Sequence, residues 1–485
     1  MHDQDPDSPT LETNDGEASA ASTSRTPIPK FQLFILLLIQ FAEPMCGLVI
    51  YPFIVQFVRD TGITGGDEAK TGFYAGLIES SFFLAECLTV YQFARLADRY
   101  GRRPVLMLAP LGLGMSVLGF GLSRSFWLLL GFRCAQGAFN GNMGVARTVM
   151  SEISDQTNVA DIFSTLQLMW SLGATTSPFI GGVLANSATK WPETLGKIAL
   201  LRTHPYFLPC AVSACIAFAS FAFAFLGLHE TLPYSIKHSQ KSQNAVATES
   251  SPLLSAENSA ELEAIPPLRQ LLTRPVRVAL LNHGLLCLCD MGYDALFPLV
   301  YSTPIPLGGL GLEPFDIGRI MGLCGVINAI FQALFGGRFI RYFGARPVFT
   351  AAFAAFGLVF ALFPLLTFLA QRAGRVDAAV LVVLACQLSC SVVFYFSFAS
   401  TNLFLMDAAP NRASVGRVNG LGQMVGTIQR SIAPSMASSL FALSVKHNLA
   451  RGYLVYIVLT GLALIATRCS LMLPRYLRSE LKKGL

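Results

Sequence analysis

Apolar runs of about twenty or more residues recur along almost the whole chain, separated by short polar stretches. A helix of about 20 residues crosses a hydrocarbon core of roughly 30 Å, so each run can span a bilayer. The runs are continuously apolar and do not alternate, which predicts helices and not barrel strands. In the first half the spans fall at approximately 31–58, 72–94, 104–122, 126–149, 162–186 and 205–228. In the second half they fall at approximately 276–302, 315–337, 347–369, 377–403, 417–443 and 451–473. The pattern predicts an all-α membrane protein with about twelve transmembrane helices in two sets of six.

Three polar stretches stand outside the spans. Residues 1–29 are rich in Asp, Ser, Thr and Glu and read as a disordered tail. Residues 230–274, with His238-Ser239-Gln240-Lys241 and Glu249-Ser250-Ser251, read as a flexible linker between bundles at 30–229 and 275–473. Residues 474–485 form a second tail. No basic start leads into a short apolar core with a small-residue cleavage site, so the first span is expected to act as the targeting signal.

The polar stretch Leu96-Ala97-Asp98-Arg99-Tyr100-Gly101-Arg102-Arg103-Pro104 returns, degraded, as Phe339-Ile340-Arg341-Tyr342-Phe343-Gly344-Ala345-Arg346-Pro347. Aligning Gly101 with Gly344 also superposes Arg95 on Arg338, Arg103 on Arg346, Pro104 on Pro347 and Val105 on Val348. An offset of about half the chain is what a duplicated helical bundle leaves behind, so the two sets of six are expected to be pseudo-symmetric.

Composition agrees with this reading: 53% of residues are hydrophobic and only 13% charged, against about 25% charged in soluble proteins. The net charge of +6 comes from loop cations, so no nucleic-acid partner is expected. An even number of spans puts both termini on one side. Arg95, Arg99, Arg102, Arg103, Arg338, Arg341, Arg346, Arg412, Lys482 and Lys483 share it, which assigns that side to the cytoplasm. Lys190, Lys197, Arg372 and Arg375 fall on the other side. The cysteines sit in or beside apolar spans, where thiols serve as small apolar fillers. Cys287 and Cys289 are two apart on a helix and diverge, so no metal and no cofactor are expected.

Charged groups inside spans each cost a few kcal/mol and must face a cavity or a partner. Glu43 lies near the middle of the first span, followed by Pro44, which loosens the local hydrogen-bond ladder. Glu79 and Glu86 are seven apart in the second span, and Asp290 and Asp294 four apart in the seventh, so each pair shares a helix face. Buried carboxyl groups can exchange protons near physiological pH, and Glu43, Glu86 and Asp290 are the candidates for that work. In the fourth span Arg133-x-x-Gln136-Gly137 puts Arg133 and Gln136 on one face, with Asn140 and Asn142 beyond. A guanidinium keeps its proton, so Arg133 can only tune a neighbouring carboxyl group. Glu79, Gln136, Asp294, Gln332, Gln423 and Arg430 are the candidates for lining a substrate cavity. Two plainer readings stay open: Glu43 as a helix-holding ion pair, and Glu79 as a solvated rim residue. No GxxxxGK[ST] phosphate loop, HExxH or span-borne GxSxG occurs, so neither ATP drive nor enzymatic chemistry is expected.

Leu96 to Arg103 resembles the loop signature of the major facilitator superfamily, with Ala94 in place of that signature's first glycine. Arg133-Cys134-Ala135-Gln136-Gly137 resembles the family's fourth-span motif, whose arginine is linked to proton coupling. Gly173-Ala174-Thr175-Thr176-Ser177-Pro178-Phe179-Ile180-Gly181-Gly182 resembles the fifth-span motif of drug:proton antiporters, with Ser177-Pro178 for the usual Gly-Pro. Phe41-Ala42-Glu43-Pro44 and Asn419-Gly420-Leu421-Gly422-Gln423 with Arg430 look like a fungal branch similar to zinc-induced-facilitator-like transporters. Members of that branch sit beside secondary-metabolite pathways, tryptamine alkaloids among them.

The resemblance implies several roles. Asp98, Arg99, Gly101, Arg102 and Arg103 would form a cytoplasmic latch between the bundles, and Gly173, Ser177, Pro178, Gly181 and Gly182 an antiporter-like packing motif. Proton-coupled export of a small organic molecule by a monomer in the plasma membrane, or alternatively the vacuolar membrane, is the function expected from the whole. A proton symporter importing a nutrient or metal chelate is the alternative of the same class. A membrane receptor without transport is the alternative of another.

Overall fold

The computed structural model describes residues 29–154, 159–231, 268–411 and 414–475. The expected tails, nearly all of the linker, and Arg412, Lys482 and Lys483 therefore lie outside the described residues.

The first half runs through α1 (Lys30–Leu48), α2 (Ile54–Asp60), α3 (Glu68–Tyr100), α4 (Arg102–Leu122), α5 (Phe126–Asn140), α6 (Met143–Glu152), α7 (Val159–Leu184) and α8 (Phe207–Gly227). The second half comprises α9 (Arg274–Ser302), α10 (Pro314–Phe343), α11 (Ala345–Ala373), α12 (Ala378–Phe394), α13 (Phe396–Ala408), α14 (Val415–Lys446) and α15 (Leu454–Ser470). Three spans are broken: α1 and α2 together make the first, α5 and α6 the fourth, α12 and α13 the tenth. Twelve spans result, six in each half.

Among the described residues, eight stretches are long and apolar enough on their own to cross a membrane. Of the remainder, the fourth span is interrupted after Asn140, α15 is short, and α14 carries Asn419, Gln423, Gln429 and Arg430. Such helices must turn polar faces to a cavity or a neighbour, which the all-apolar ones need not.

The duplication is visible in the backbone. Gly101 ends α3 and precedes α4 at φ +109°, and Gly344 ends α10 and precedes α11 at φ +85°. Only glycine takes that conformation freely, which is why the repeat kept it while losing Asp98 to Arg341. The fourth span of each set is also broken, after Asn140 in the first half and at Tyr395 in the second.

The halves meet along two seams, α3 against α14 and α7 against α10. Both are built on small residues, which let backbones approach closely. A Cβ on Gly76 would lie 2.5 Å from Ser438 Oγ, and one on Gly182 would lie 2.6 Å from the Gly318 Cα. Ser435 N donates to Ser80 Oγ at 3.0 Å across the first seam.

These contacts lie toward the end away from Gly101 and Gly344 and run inward only as far as a cluster of Phe82, Phe83, Met291 and Ala433. Beyond it α3 changes character: Ile78 to Phe83 are buried, whereas Leu88 and Tyr91 are 64% and 70% exposed. Met424 on α14 is 60% exposed. The protein is thus closed at the far end and splayed at the end bearing the repeated loops.

Within the first half, α5 packs on α3 through Gly137, where a Cβ would fall 2.0 Å from the Phe82 carbonyl oxygen. Gly137→Val should therefore destabilise the protein by about 1–3 kcal/mol through overpacking. Gly131, with nothing near its would-be Cβ, is the control. Thermal unfolding of the detergent-solubilised protein should show a lower midpoint for Gly137→Val and no loss for Gly131→Ala. Equal midpoints would refute the α3–α5 contact.

Candidate functional site

Arg133 on α5 is 1% exposed and is the largest of the fully buried side chains. Its Nη1 donates to Gln136 Oε1 at 2.7 Å, one turn along, and its guanidinium lies 4.3 Å from the Phe82 ring centroid. A delocalised cation stacks well on an aromatic face, which partly replaces lost hydration. Glu79 on α3 is 2% exposed and within electrostatic reach of Arg133, and its Oε2 has no hydrogen-bond partner. The rim reading of Glu79 is corrected here: the far-end seam covers it.

Tyr51 occupies the break between α1 and α2, close to Glu79 and Arg133 of its own half and to Asp290 and Asp294 of the other. Asp290 is 5% exposed, with Oδ1 unpartnered, and Asp294 is half-buried. The two share one face of α9, as their spacing predicts. Tyr395, at the break between α12 and α13, faces both. Two of the three broken spans, the first and the tenth, thus deliver a tyrosine to the carboxyl pair.

A second tier lies nearer the splayed end. Asn140 Nδ2 donates to Glu43 Oε1 at 3.2 Å, and Asn140 also lies near Glu86. Arg147 on α6 and Arg430 on α14 are both close to Glu43 and Glu86. Arg430 also lies close to Asp290 and Cys287, so this one side chain faces carboxyl groups of both halves. Glu86, Arg147 and Arg430 are half-buried, as groups bordering a water-reachable space should be. His283 is 6% exposed with Nδ1 unpartnered, and lies 3.8 Å from Cys287 Sγ. No cluster of three or more metal-ligating side chains occurs among the described residues.

Of the predicted cavity residues, Glu79, Gln136, Asp294 and Arg430 are brought together with Glu43, Glu86, Arg133 and Asp290. Gln332 is half-buried with Nε2 unpartnered, and Gln423 is exposed, with no side-chain hydrogen bond among the described residues. Neither joins the two tiers. Tyr51, Tyr395 and Arg147 were missed from sequence. The signal for Arg147 is its spacing: 133, 140 and 147 form a seven-residue series along the predicted fourth span.

The antiporter-like motif packs α7 onto α1. Ser177 Oγ donates to the Met45 carbonyl at 2.9 Å, and Cβ atoms on Gly173 and Gly181 would strike Pro44 and the Val49 carbonyl. Pro178 and Gly182 face Gly318 across the second seam. At the repeated loop, Asp98 pairs with Arg102 in its own half, and Arg102 also reaches Glu152. Glu230 accepts from the backbone N–H groups of Arg102 and Arg103 at 2.7 and 3.1 Å, over Gly101. Arg103 donates to the Phe225 carbonyl, and Arg99 lies over Tyr100. Every one of these contacts stays within the first half.

Comparison with known proteins adds a lineage to this geometry. The chain is 33% identical to the major facilitator-type transporter psiT2 of Psilocybe cyanescens, over 96% of this chain and 94% of that one. It is 27% identical to the efflux pump azaK of Aspergillus niger, over 99% and 97% respectively. The protein zinc induced facilitator 1 of Arabidopsis thaliana is also 27% identical, over 87% and 86%. Among solved structures, a D-xylose–proton symporter aligns with a TM-score of 0.67 at 14% identity, over 93% of this chain and 99% of that one. The human organic anion transporter MFSD10 aligns with a TM-score of 0.58 at 18% identity, over 92% and 100%. The profile of the Major Facilitator Superfamily matches residues 36–434, and this chain belongs to that family of membrane transporters, which are not enzymes.

Proposed function

We propose that this transporter exports a small organic solute in exchange for protons, by alternating access to the chamber between its halves. One observation carries the reading. Five carboxyl groups (Glu43, Glu79, Glu86, Asp290 and Asp294) and three guanidiniums (Arg133, Arg147 and Arg430) gather from both halves around a space open at one end. With two more acids than bases, the chamber balances its charge by taking up protons or a cationic solute. Protons and cation compete for the same carboxylates, which is the physical basis of exchange. A solute bearing a protonated amine and an aromatic body fits Asp290, Asp294 and their neighbouring tyrosines.

The remaining parts follow from this reading. The bundles at 30–229 and 275–473 rock as units about the two seams, and the polar stretch 230–274 joins them. The splayed end, with both tails and most loop cations, faces the cytoplasm, so solute loads there. The protein works as a monomer, in the plasma membrane in preference to the vacuolar one. When the halves close at that end, Asp98 and the arginines beside it leave their partners within the first half and latch across. An acidic side chain is favoured at a helix N-terminus, and the contact breaks when the bundles part.

Proteoliposomes with an imposed pH gradient test this, using a panel of aromatic amines and matched carboxylic acids. Amine flux against the proton gradient is expected. Flux in the direction of proton flow identifies a symporter, and no flux with any compound favours a receptor. Arg133→Ala should lower gradient-driven flux by at least about tenfold while insertion stays normal, because a buried cation leaves its carboxyl partners uncompensated. Flux at the unmodified rate would remove Arg133 from the mechanism. Asp98→Asn should reduce kcat by about two- to fivefold with a smaller effect on KM, since its contact forms in only one state. Unchanged turnover would argue against the latch.

A further inference from the structure

Two basic side chains at the far end lie outside the chamber and belong to neither motif. Arg59, in the last turn of α2, donates from Nε to Glu68 Oε2 at 2.8 Å in its own half. Its Nη2 donates to the Ser302 carbonyl at 3.1 Å in the other half. Ser302 is the last residue of α9, so this carbonyl is one that the helix itself leaves without a donor. Lys190 follows α7 and donates to the Gly182 and Val183 carbonyls at 3.2 and 3.5 Å, at that helix's C-terminus. The same ammonium lies 4.5 Å from the centroid of the Phe315 ring, in the first turn of α10. Arg319 of the second half approaches that ring too, at 5.3 Å. Burial pushes the Lys190 ammonium below its usual value, and Glu313 and Asp316 of the second half act in the opposite direction.

Each seam thus has one charged tie near the far end: Arg59 between the start of α3 and the end of α9, Lys190 between α7 and α10. The seams themselves are glycine, serine and proline contacts, with no ion pair between the halves among the described residues. Both cations bridge, because each holds a group in its own half and another across the gap. Neither contact can survive a rotation that opens the far end.

We propose that Arg59 and Lys190 form a two-point latch that holds the far end shut, and that both must release before the chamber opens there. The inference rests on alternating access. Its strength suits a gate that cycles: a partly exposed hydrogen bond to a helix-end carbonyl and a cation–π contact each bias an equilibrium by a factor of a few, so neither traps the closed state. Arg59 retains 21% side-chain exposure, so water can replace the Ser302 carbonyl as the tie breaks, while Glu68 stays with Arg59 in its own half.

The test uses the full chain in nanodiscs, with spin labels at Glu193→Cys and Leu307→Cys on opposite sides of the far end, and Cys215 and Cys386 replaced by Ala. Double electron–electron resonance reads the ratio of far-open to far-closed populations. Arg59→Ala and Lys190→Met should each raise that ratio about threefold, and together about tenfold. Lys197→Met, which removes an exposed cation from the same face, should leave it unchanged. The charge-keeping Arg59→Lys and Lys190→Arg should stay close to the unmodified protein, which separates loss of the latch from general loosening. An unchanged ratio in the double variant, or equal shifts in the charge-keeping variants, overturns the latch. If the unmodified protein shows both distances while the variants leave their ratio alone, the latch fails and alternating access stands. If it shows a single distance across all pH values and solutes, rocking itself fails.

Discussion

A guanidinium that keeps its proton sits in the middle of the first half, where hydrocarbon cannot solvate it. Arg133 is 1% exposed, and much of the site follows from the need to accommodate it. Phe82 offers a ring face, Gln136 an amide oxygen, and Glu79 a counter-charge from the neighbouring helix. Those three partners come from α3 and α5, so the two helices must pack closely, and Gly137 against the Phe82 carbonyl makes that possible. The same requirement leaves Glu79 with a free oxygen and Arg133 with an unpartnered Nε. Incomplete pairing deep in the protein costs stability, and it leaves polar atoms free to meet a transported solute.

The breaks in the helices serve the same end. An unbroken helix presents one polar face along a straight line, and a chamber needs groups converging from several directions. Interrupting α1–α2 and α12–α13 turns Tyr51 and Tyr395 toward Asp290 and Asp294. The glycine seams have a complementary task. They bring the halves into contact with almost no directional bonding, so rotation about them sacrifices little. Polar groups supply attraction in the chamber, small residues supply the surface on which the halves move, and the two functions occupy different lengths of the same helices.

Much of this was legible in the residues. The helical spans, their pairing into two sets and the repeated glycine loop follow from hydropathy and one internal alignment, because hydrocarbon imposes its length on every span. Glu43, Glu86, Arg133, Asp290 and Arg430 stand out for the same reason: charge inside an apolar run has few explanations. For Glu79 the cavity and the rim both stayed open, because sequence position measures depth along a helix and not cover from the opposite half. Arg147 was not singled out, although it falls inside the predicted span 126–149 at seven-residue spacing from Asn140 and Arg133. Gln423 illustrates the opposite error. Its spacing from Arg430 is right, but α14 passes out of the seam before reaching it, and a helical period carries no information about where a neighbour ends.

The loop at Gly101 shows why a motif's partners depend on the state in which they are seen. The N-terminus of α4 has backbone N–H groups that must find acceptors whether the halves are apart or together. With the halves apart, Glu230 supplies both carboxylate oxygens, and Asp98 turns to Arg102. These local partners are available because the chain leaving α8 passes directly over Gly101, where any side chain would collide with Glu230. A loop with no such substitutes would leave charges and amides unsatisfied each time the halves separated, and the separated state would be disfavoured. Local acceptors lower that difference, so the two states can lie close in energy, as repeated cycling requires. The contacts made at this loop are therefore those that suit the splayed arrangement, each satisfied by a neighbour close by in the chain or at the end of α8.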